Sequence, residues 1–215
     1  MTNKPSSLPD DDPRTIFAHS VITGGVTIAN VRADQLTNLT PCDDFDTRGL
    51  LGHLVSVLQR VAAIGRQEDP FSVPEMTTGV ADDGWHAAWL DAAHAVQVAW
   101  TDDETLQRMV HLPWASMPGG PTLAMYTSEV TVHTWDLAQA TGQQPDWNEV
   151  AVAVSMEAMR HGLPDADRAA SFEEARKHMP PEMADFPPPF ANAVTVPSDA
   201  SGIDQLVAWT GRTPA

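Results

Sequence analysis

An all-α fold, a bundle of helices, is what this sequence predicts, and three observations predict it. Apolar residues recur at helical spacing in four substantial segments, loops of varied length rich in Pro and Gly separate them, and neither hairpin nor βαβ signals stand out. At 215 residues, with 42% hydrophobic and 19% charged residues, the chain is long enough for one well-filled core. Residues 1–12 read as a flexible N-terminal tail and residues 13–215 as a single domain.

From Pro13 to about Asn38 the positions Ile16, Phe17, Ile22, Val26, Ala29, Val31 and Leu36 fit a first helix, although Gly24-Gly25 weakens its middle. The turn residues Leu39 to Phe45 follow. Asp46 then caps a second helix through Leu50, Leu51, Leu54, Val57, Leu58, Val61 and Ile64. Residues 69–84 hold Pro70, Pro74 and Gly79 and read as loop. Trp85, Trp89, Ala92, Val96 and Trp100 form the buried stripe of a third helix, with Asp82 or Asp83 as its cap and an end near Asp102. Pro113, Pro118 and Gly119-Gly120 make Leu106 to Pro121 a short strand or an irregular connection. Thr122 is the expected cap of a fourth helix through Leu123, Tyr126, Val130, His133 and Leu137, stopped by Gly142. A fifth helix covers Trp147 to His161 behind Asp146. Short helices at Ser171 to His178 and Ile203 to Thr210 flank the proline-rich run Pro180 to Pro189.

The formal net charge of -17 repels phosphate backbones, and the 12 basic residues form no cluster, so nucleic acid is not an expected partner. No run approaches the roughly 18 apolar residues of a membrane helix, and the polar start shows no signal peptide. A cytoplasmic protein is the expectation. Cys42 is the single cysteine, which excludes an internal disulfide and a thiolate-rich zinc site. A metal here needs nitrogen and oxygen donors.

Glu129 and His133 stand four apart on the fourth helix, so both project from one face about one turn from each other. His53 sits among Leu50, Leu54 and Val57 on the second helix. Two readings stand side by side: the pair simply satisfies itself with an internal hydrogen bond, or the three groups form a two-His, one-carboxylate metal site with open positions. Asp136, three residues past His133, orients that imidazole, serves as a fourth ligand, or is an exposed helix partner. Cys42, surrounded by Asp43, Asp44 and Asp46, reads as structural, and the other six histidines read as surface or structural groups.

Three blocks carry a resemblance: Thr40-Pro-Cys-Asp-Asp-Phe-Asp-Thr-Arg-Gly-Leu-Leu-Gly-His-Leu54, Glu129-Val-Thr-Val-His-Thr-Trp-Asp-Leu-Ala-Gln-Ala-Thr-Gly142, and the ending from Val196 through Leu206-Val-Ala-Trp-Thr-Gly-Arg-Thr-Pro214. On these the chain resembles the DinB-like superfamily, and within it the actinobacterial proteins related to mycothiol-dependent maleylpyruvate isomerase. The resemblance implies a DinB-like four-helix bundle with a long crossover connection plus short C-terminal helices. It also implies a divalent metal, zinc, on His53, Glu129 and His133. Phe45 stands where the family usually has tryptophan and Gly49 where it has an acidic residue, which weakens the cap region and spares the ligands. The isomerase's additional C-terminal domain is missing from the pattern. The implied function is a thiol-dependent, mycothiol-type S-transferase or isomerase acting on a small thiol and an electrophile. A non-catalytic metal binder and a metal-assisted hydrolase are the alternatives, and a homodimer is left open. Arg212 is a candidate for binding an anionic substrate or the thiol cofactor.

Overall fold

Asp46 starts the most deeply buried helix by accepting a hydrogen bond from Gly49 N at 2.8 Å, so the cap forms despite the glycine. The computed structural model describes residues 8–177 and 190–214. In it, α1 spans Pro13–Ala29, α2 Thr47–Gly65, α3 Trp85–Ala99, α4 Glu104–Gln107, β1 Met109–Leu112, β2 Ala115–Pro118, α5 Gly119–Thr141, α6 Glu149–Gly162, α7 Arg168–Arg176 and α8 Gly202–Trp209. The fold is the all-α bundle that the sequence predicts, with one small hairpin.

Four helices share the main core. Both α1 and α2 pack on α3 and on α5. That pairing puts α1 and α2 at opposite corners, so residues 30–46 form a crossover across the bundle. The core is filled by Phe17 and Ile28 of α1, Leu50 to Val61 of α2, the Trp85, Trp89 and Val96 stripe of α3, and Leu123, Val130 and Leu137 of α5. A second apolar layer lies outside: Val132 and Trp135 of α5 meet Val152 and Met159 of α6 and Ile203, Leu206 and Val207 of α8.

Several boundaries differ from the sequence expectation, each for a physical reason. The first helix ends at Ala29 instead of continuing to Asn38. Beyond it, Gln35 Nε2 donates to Thr141 O at 2.9 Å and Asn38 Nδ2 to Ala140 O at 2.8 Å, so these side chains cap the end of α5 and hold the chain off the α1 axis. The pair Gly24-Gly25 does not break α1. A Cβ at Gly24 would lie 2.9 Å from the Trp89 ring, so the small residues let α1 approach α3.

The hairpin is a correction. Residues Met109↔Pro118 to Leu112↔Ala115 pair as antiparallel strands of four residues with Leu112 alone buried, too short and too exposed to show alternation. The fourth helix starts at Gly119 instead of after Thr122, whose hydroxyl donates to Pro118 O at 2.9 Å. A Cβ at Gly119 would meet Thr105 O at 2.1 Å, so a glycine that reads as a breaker permits a close start. The helix stops as expected at Gly142, where φ is 69°. Neither Asp82 nor Asp83 caps α3; Asp82 pairs with Arg48 instead, and the helix ends at Ala99. Asn148, not Asp146, caps α6. The expected helix from Ser171 begins at Arg168, while His178, Pro180 to Pro189 and the first seven residues of the expected tail lie outside the described residues.

Candidate metal centre

His53 comes from α2 and Glu129 and His133 from α5, and the packing of these two helices brings them together. A metal-binding atom from each, one imidazole nitrogen or carboxylate oxygen, lies within 4.8 Å of the others. His53 Nε2 is 3.2 Å and His133 Nε2 3.6 Å from Glu129 Oε1. The imidazole rings meet edge to face with centroids 4.9 Å apart, and Phe45 stacks on His53 at 4.8 Å, in the position where the resemblance leads one to look for tryptophan.

The opposite nitrogens decide what this cluster can do. His53 Nδ1 lies 3.3 Å from the carbonyl of Glu75, and because a carbonyl only accepts, Nδ1 carries the proton there. Asp136 Oδ2 lies 3.0 Å from His133 Nδ1 and accepts in the same way. Both rings are therefore held with Nε2 toward Glu129, the tautomer that frees Nε2 as a ligand. His53 Nε2 and His133 Nε2 thus face the same carboxylate oxygen, Glu129 Oε1. Burial opposes charge on His133, yet its bonds to Asp136 and Glu129 outweigh burial and leave its pKa raised to about 9. Glu129 is likewise penalised by burial, and the bonds from His133 and His53 still carry it well below the ordinary carboxylate range. A site that collects positive charge on Nε2 in this way has the donor set of a divalent ion: two neutral imidazoles and one carboxylate.

Asp136 is fully buried, at 0% exposure, which rules out the exposed helix-partner reading. Besides His133 it holds Arg212 in a two-pronged pair, Nε to Oδ1 at 2.8 Å and Nη2 to Oδ2 at 2.6 Å. Burial works against the Asp136 charge, and Arg212 and His133 keep its pKa lowered. Arg212 thus does return to this region from the C-terminal end, with its fork engaged by Asp136.

Cys42 is the residue whose place the sequence does not reveal. Its Sγ, a His133 nitrogen and an Asp136 oxygen lie within 4.8 Å of one another, beside the candidate centre and not remote from it. Burial, more than the neighbouring aspartates, pushes its thiol up to about 11, so it is a neutral thiol at ordinary pH. Its proximity depends on how residues 39–46 fold back. The signal available in sequence was only its place before the α2 cap. Of the other histidines, His86, His94, His111 and His161 are exposed and His19 half-buried, and none joins either cluster.

Comparison with known proteins gives three findings. The family described as mycothiol maleylpyruvate isomerase N-terminal domain matches residues 25–138. Two uncharacterized proteins of Mycobacterium tuberculosis, MT0763 of strain CDC 1551 and Rv0738 of strain H37Rv, are each 32% identical over 188 residues, covering 86% of this chain and 90% of theirs. A solved crystal structure of a mutant of the mycothiol-dependent maleylpyruvate isomerase superposes with a TM-score of 0.61 at 14% identity, over 76% of this chain and 72% of that one, a likeness of fold. No described helix is long and apolar enough to cross a membrane.

Proposed function

The chain belongs to the family of mycothiol maleylpyruvate isomerase N-terminal domains, and on that premise we propose that it holds a divalent metal, zinc in the first instance, at His53, Glu129 and His133 and serves a thiol-dependent S-transfer or isomerisation. The observation that carries this reading is the commitment of both Nδ1 atoms, to the Glu75 carbonyl and to Asp136, which leaves both Nε2 atoms converging on one carboxylate. Three donors leave coordination positions open, the mark of a catalytic rather than a closed structural site. An ion held there supplies one chemistry: it lowers the pKa of a small thiol, of the mycothiol type, so that sulfur is nucleophilic at neutral pH.

The chain's own groups do the rest. Asp136, anchored by Arg212, holds His133 in its tautomer, and the Glu75 carbonyl does the same for His53. Phe45 covers one face of the His53 ring and narrows the approach. Glu129, with 31% of its side chain exposed, marks the side from which a small thiol and its electrophile enter. One carboxylate against a dication leaves the centre net positive, which favours a thiolate over a thiol. The single-domain reading of residues 13–215 belongs to the same proposal, because Arg212 completes the support of His133 from the far end of the chain.

Metal content of the purified protein, by plasma mass spectrometry, tests the centre: near-stoichiometric metal in wild type and loss in His53→Ala and His133→Ala is the expected result. No metal after reconstitution would return the three residues to a buried polar network. Thiol transfer to a model electrophile tests the chemistry, and equal rates in wild type and His53→Ala would remove the thiol role.

A further inference from the structure

The side of the bundle away from the candidate centre carries large apolar side chains that no described residue covers. The centre lies at the seam of α2 and α5, and because α1 and α2 both pack on α3 and on α5, the seam of α1 and α3 is the opposite edge. That seam is tight: Trp89 Nε1 donates to Val21 O at 3.2 Å, and a Cβ at Gly25 would stand 3.0 Å from the same nitrogen. Ile22 and Leu90 directly follow Val21 and Trp89, and both point outward, so they flank this junction on its solvent side. Val26 lies one turn past Ile22, and Val98 two turns past Leu90. All four side chains are more than half exposed.

The same face is nearly free of charge. In the 17 residues of α1 and the 15 of α3, Arg14 and Asp91 are the only Arg, Lys, Asp or Glu, and Arg14 is held by Asp12 and Asp103. Exposed apolar patches mark contact surfaces, and depletion of charge marks the centre of such a surface. The charge pattern also selects the occupant. A basic partner finds only Asp91 to pair with, and an anionic lipid surface finds no free Lys or Arg. A second copy, which a net charge of -17 repels on its other sides, meets almost no carboxylate here.

The ends of α1 set the orientation. Asp12 caps its start, with Asp10 and Asp11 exposed before it, and Arg32 stands exposed just past its end, paired to Asp34. Ile22 is midway between Asp12 and Arg32 in sequence. A two-fold axis through Ile22 therefore brings Arg32 of each copy toward Asp10 and Asp11 of the other, the self-complementary contact of a symmetric dimer. Two adjacent helices, each about 25 Å long and about 10 Å across, offer roughly 500 Å² per copy and about 1,000 Å² in all, the lower limit for a specific interface. We propose that the face formed by α1 and α3 is the interface of a homodimer, with the two copies of α1 antiparallel about Ile22 and the seam of α2 and α5 open to the outside in each copy. A contact of this size is weak, with dissociation in the micromolar range.

Sedimentation velocity of the purified protein from about 1 to about 200 μM tests it, a range that brackets micromolar affinity. Wild type is expected to pass from monomer to dimer. Ile22→Glu and Leu90→Glu put like charges against each other and are expected to weaken association at least about tenfold. Met109→Glu, at an exposed apolar position on the hairpin, is expected to leave it unchanged. Arg32→Asp is expected to weaken it less, and Arg32→Asp combined with Asp11→Arg to restore it. Every variant is expected to keep a cooperative thermal transition and the metal content of wild type, whatever its value, so loss of the interface is distinguished from loss of the fold. A monomer throughout, association that Ile22→Glu leaves intact, or equal weakening by Met109→Glu would each overturn the proposal, and a double variant that stays weak would overturn the antiparallel arrangement. Binding of monomeric wild type to zwitterionic vesicles, lost in Ile22→Glu, would give the face to a lipid surface and overturn the dimer.

Discussion

The two halves of α5 face two different spaces. Its first turns, with Gly120, Pro121, Ala124 and Thr127, line an apolar hollow of about 510 Å³ together with Pro13, Ile16 and Leu106. Its later turns carry Glu129, His133 and Asp136 in a chain of polar contacts from the Glu75 carbonyl through His53 to Arg212. The hollow has room and no converging polar groups, whereas the later half has donors aimed at one point. Binding pockets combine apolar walls with a few placed polar groups. Volume alone therefore does not locate chemistry in this protein.

The sharpest way to break that contrast is to remove Asp136. Asp136→Ala leaves Arg212 buried without its partner and frees His133 to turn, so a loss of about 3 to 5 kcal/mol of stability is expected from denaturant unfolding. Metal content should fall with it. A variant that keeps both would show that the chain of contacts is decorative.

Next in size is Gly52→Ala, whose Cβ would stand 2.4 Å from Thr77 O and displace the segment that offers the Glu75 carbonyl to His53. Overpacking of this kind costs about 1 to 3 kcal/mol, and disturbing a ligand's orienting partner weakens metal binding about 10 to 100-fold. Competition with a chelator of known affinity measures the second effect. Unchanged affinity would mean that the carbonyl does not orient His53.

The pH dependence sharpens the same contrast. In metal-free protein the His133 pKa is raised from 6.5 to about 9, so its contribution to stability is complete below about 6.5 and is lost as pH rises through about 9. Glu129 and Asp136 have lowered pKa values, so theirs is present above the ordinary carboxylate range and disappears on acidification. Metal must displace the His133 proton, so zinc affinity should rise about tenfold per pH unit from neutrality toward pH 9, with one proton released on binding. A pH-independent affinity would place the metal elsewhere. The smallest effect belongs to the hollow: Ala124→Leu should change stability by less than about 1 kcal/mol and leave metal content untouched. Lost metal in that variant would couple two regions that the structure keeps apart.

Much of the fold was legible because helical spacing is local. The stripe from Trp85 to Trp100 and the run from Leu50 to Ile64 bury as their periodicity predicts. Where the reading slipped, the cause was distant: Gln35 and Asn38 left the first helix to cap α5, more than a hundred residues away in sequence. Gly24 and Gly119 look like breakers and act as points of close approach, which depends on Trp89 and on Thr105 O. The four-residue strands of the hairpin bury too little to leave a pattern.

The candidate site divides in the same way. The sequence by itself determined the helical stripes and the one-turn separation of Glu129 and His133, because a fixed rise and rotation per residue make both local properties. Tertiary structure alone decided that His53 meets Glu129, that Arg212 clasps Asp136, and that Cys42 lies beside His133. The physical reason is reach. Each of those outcomes depends on which faces of separate segments pack together, and packing sums contributions from the whole core.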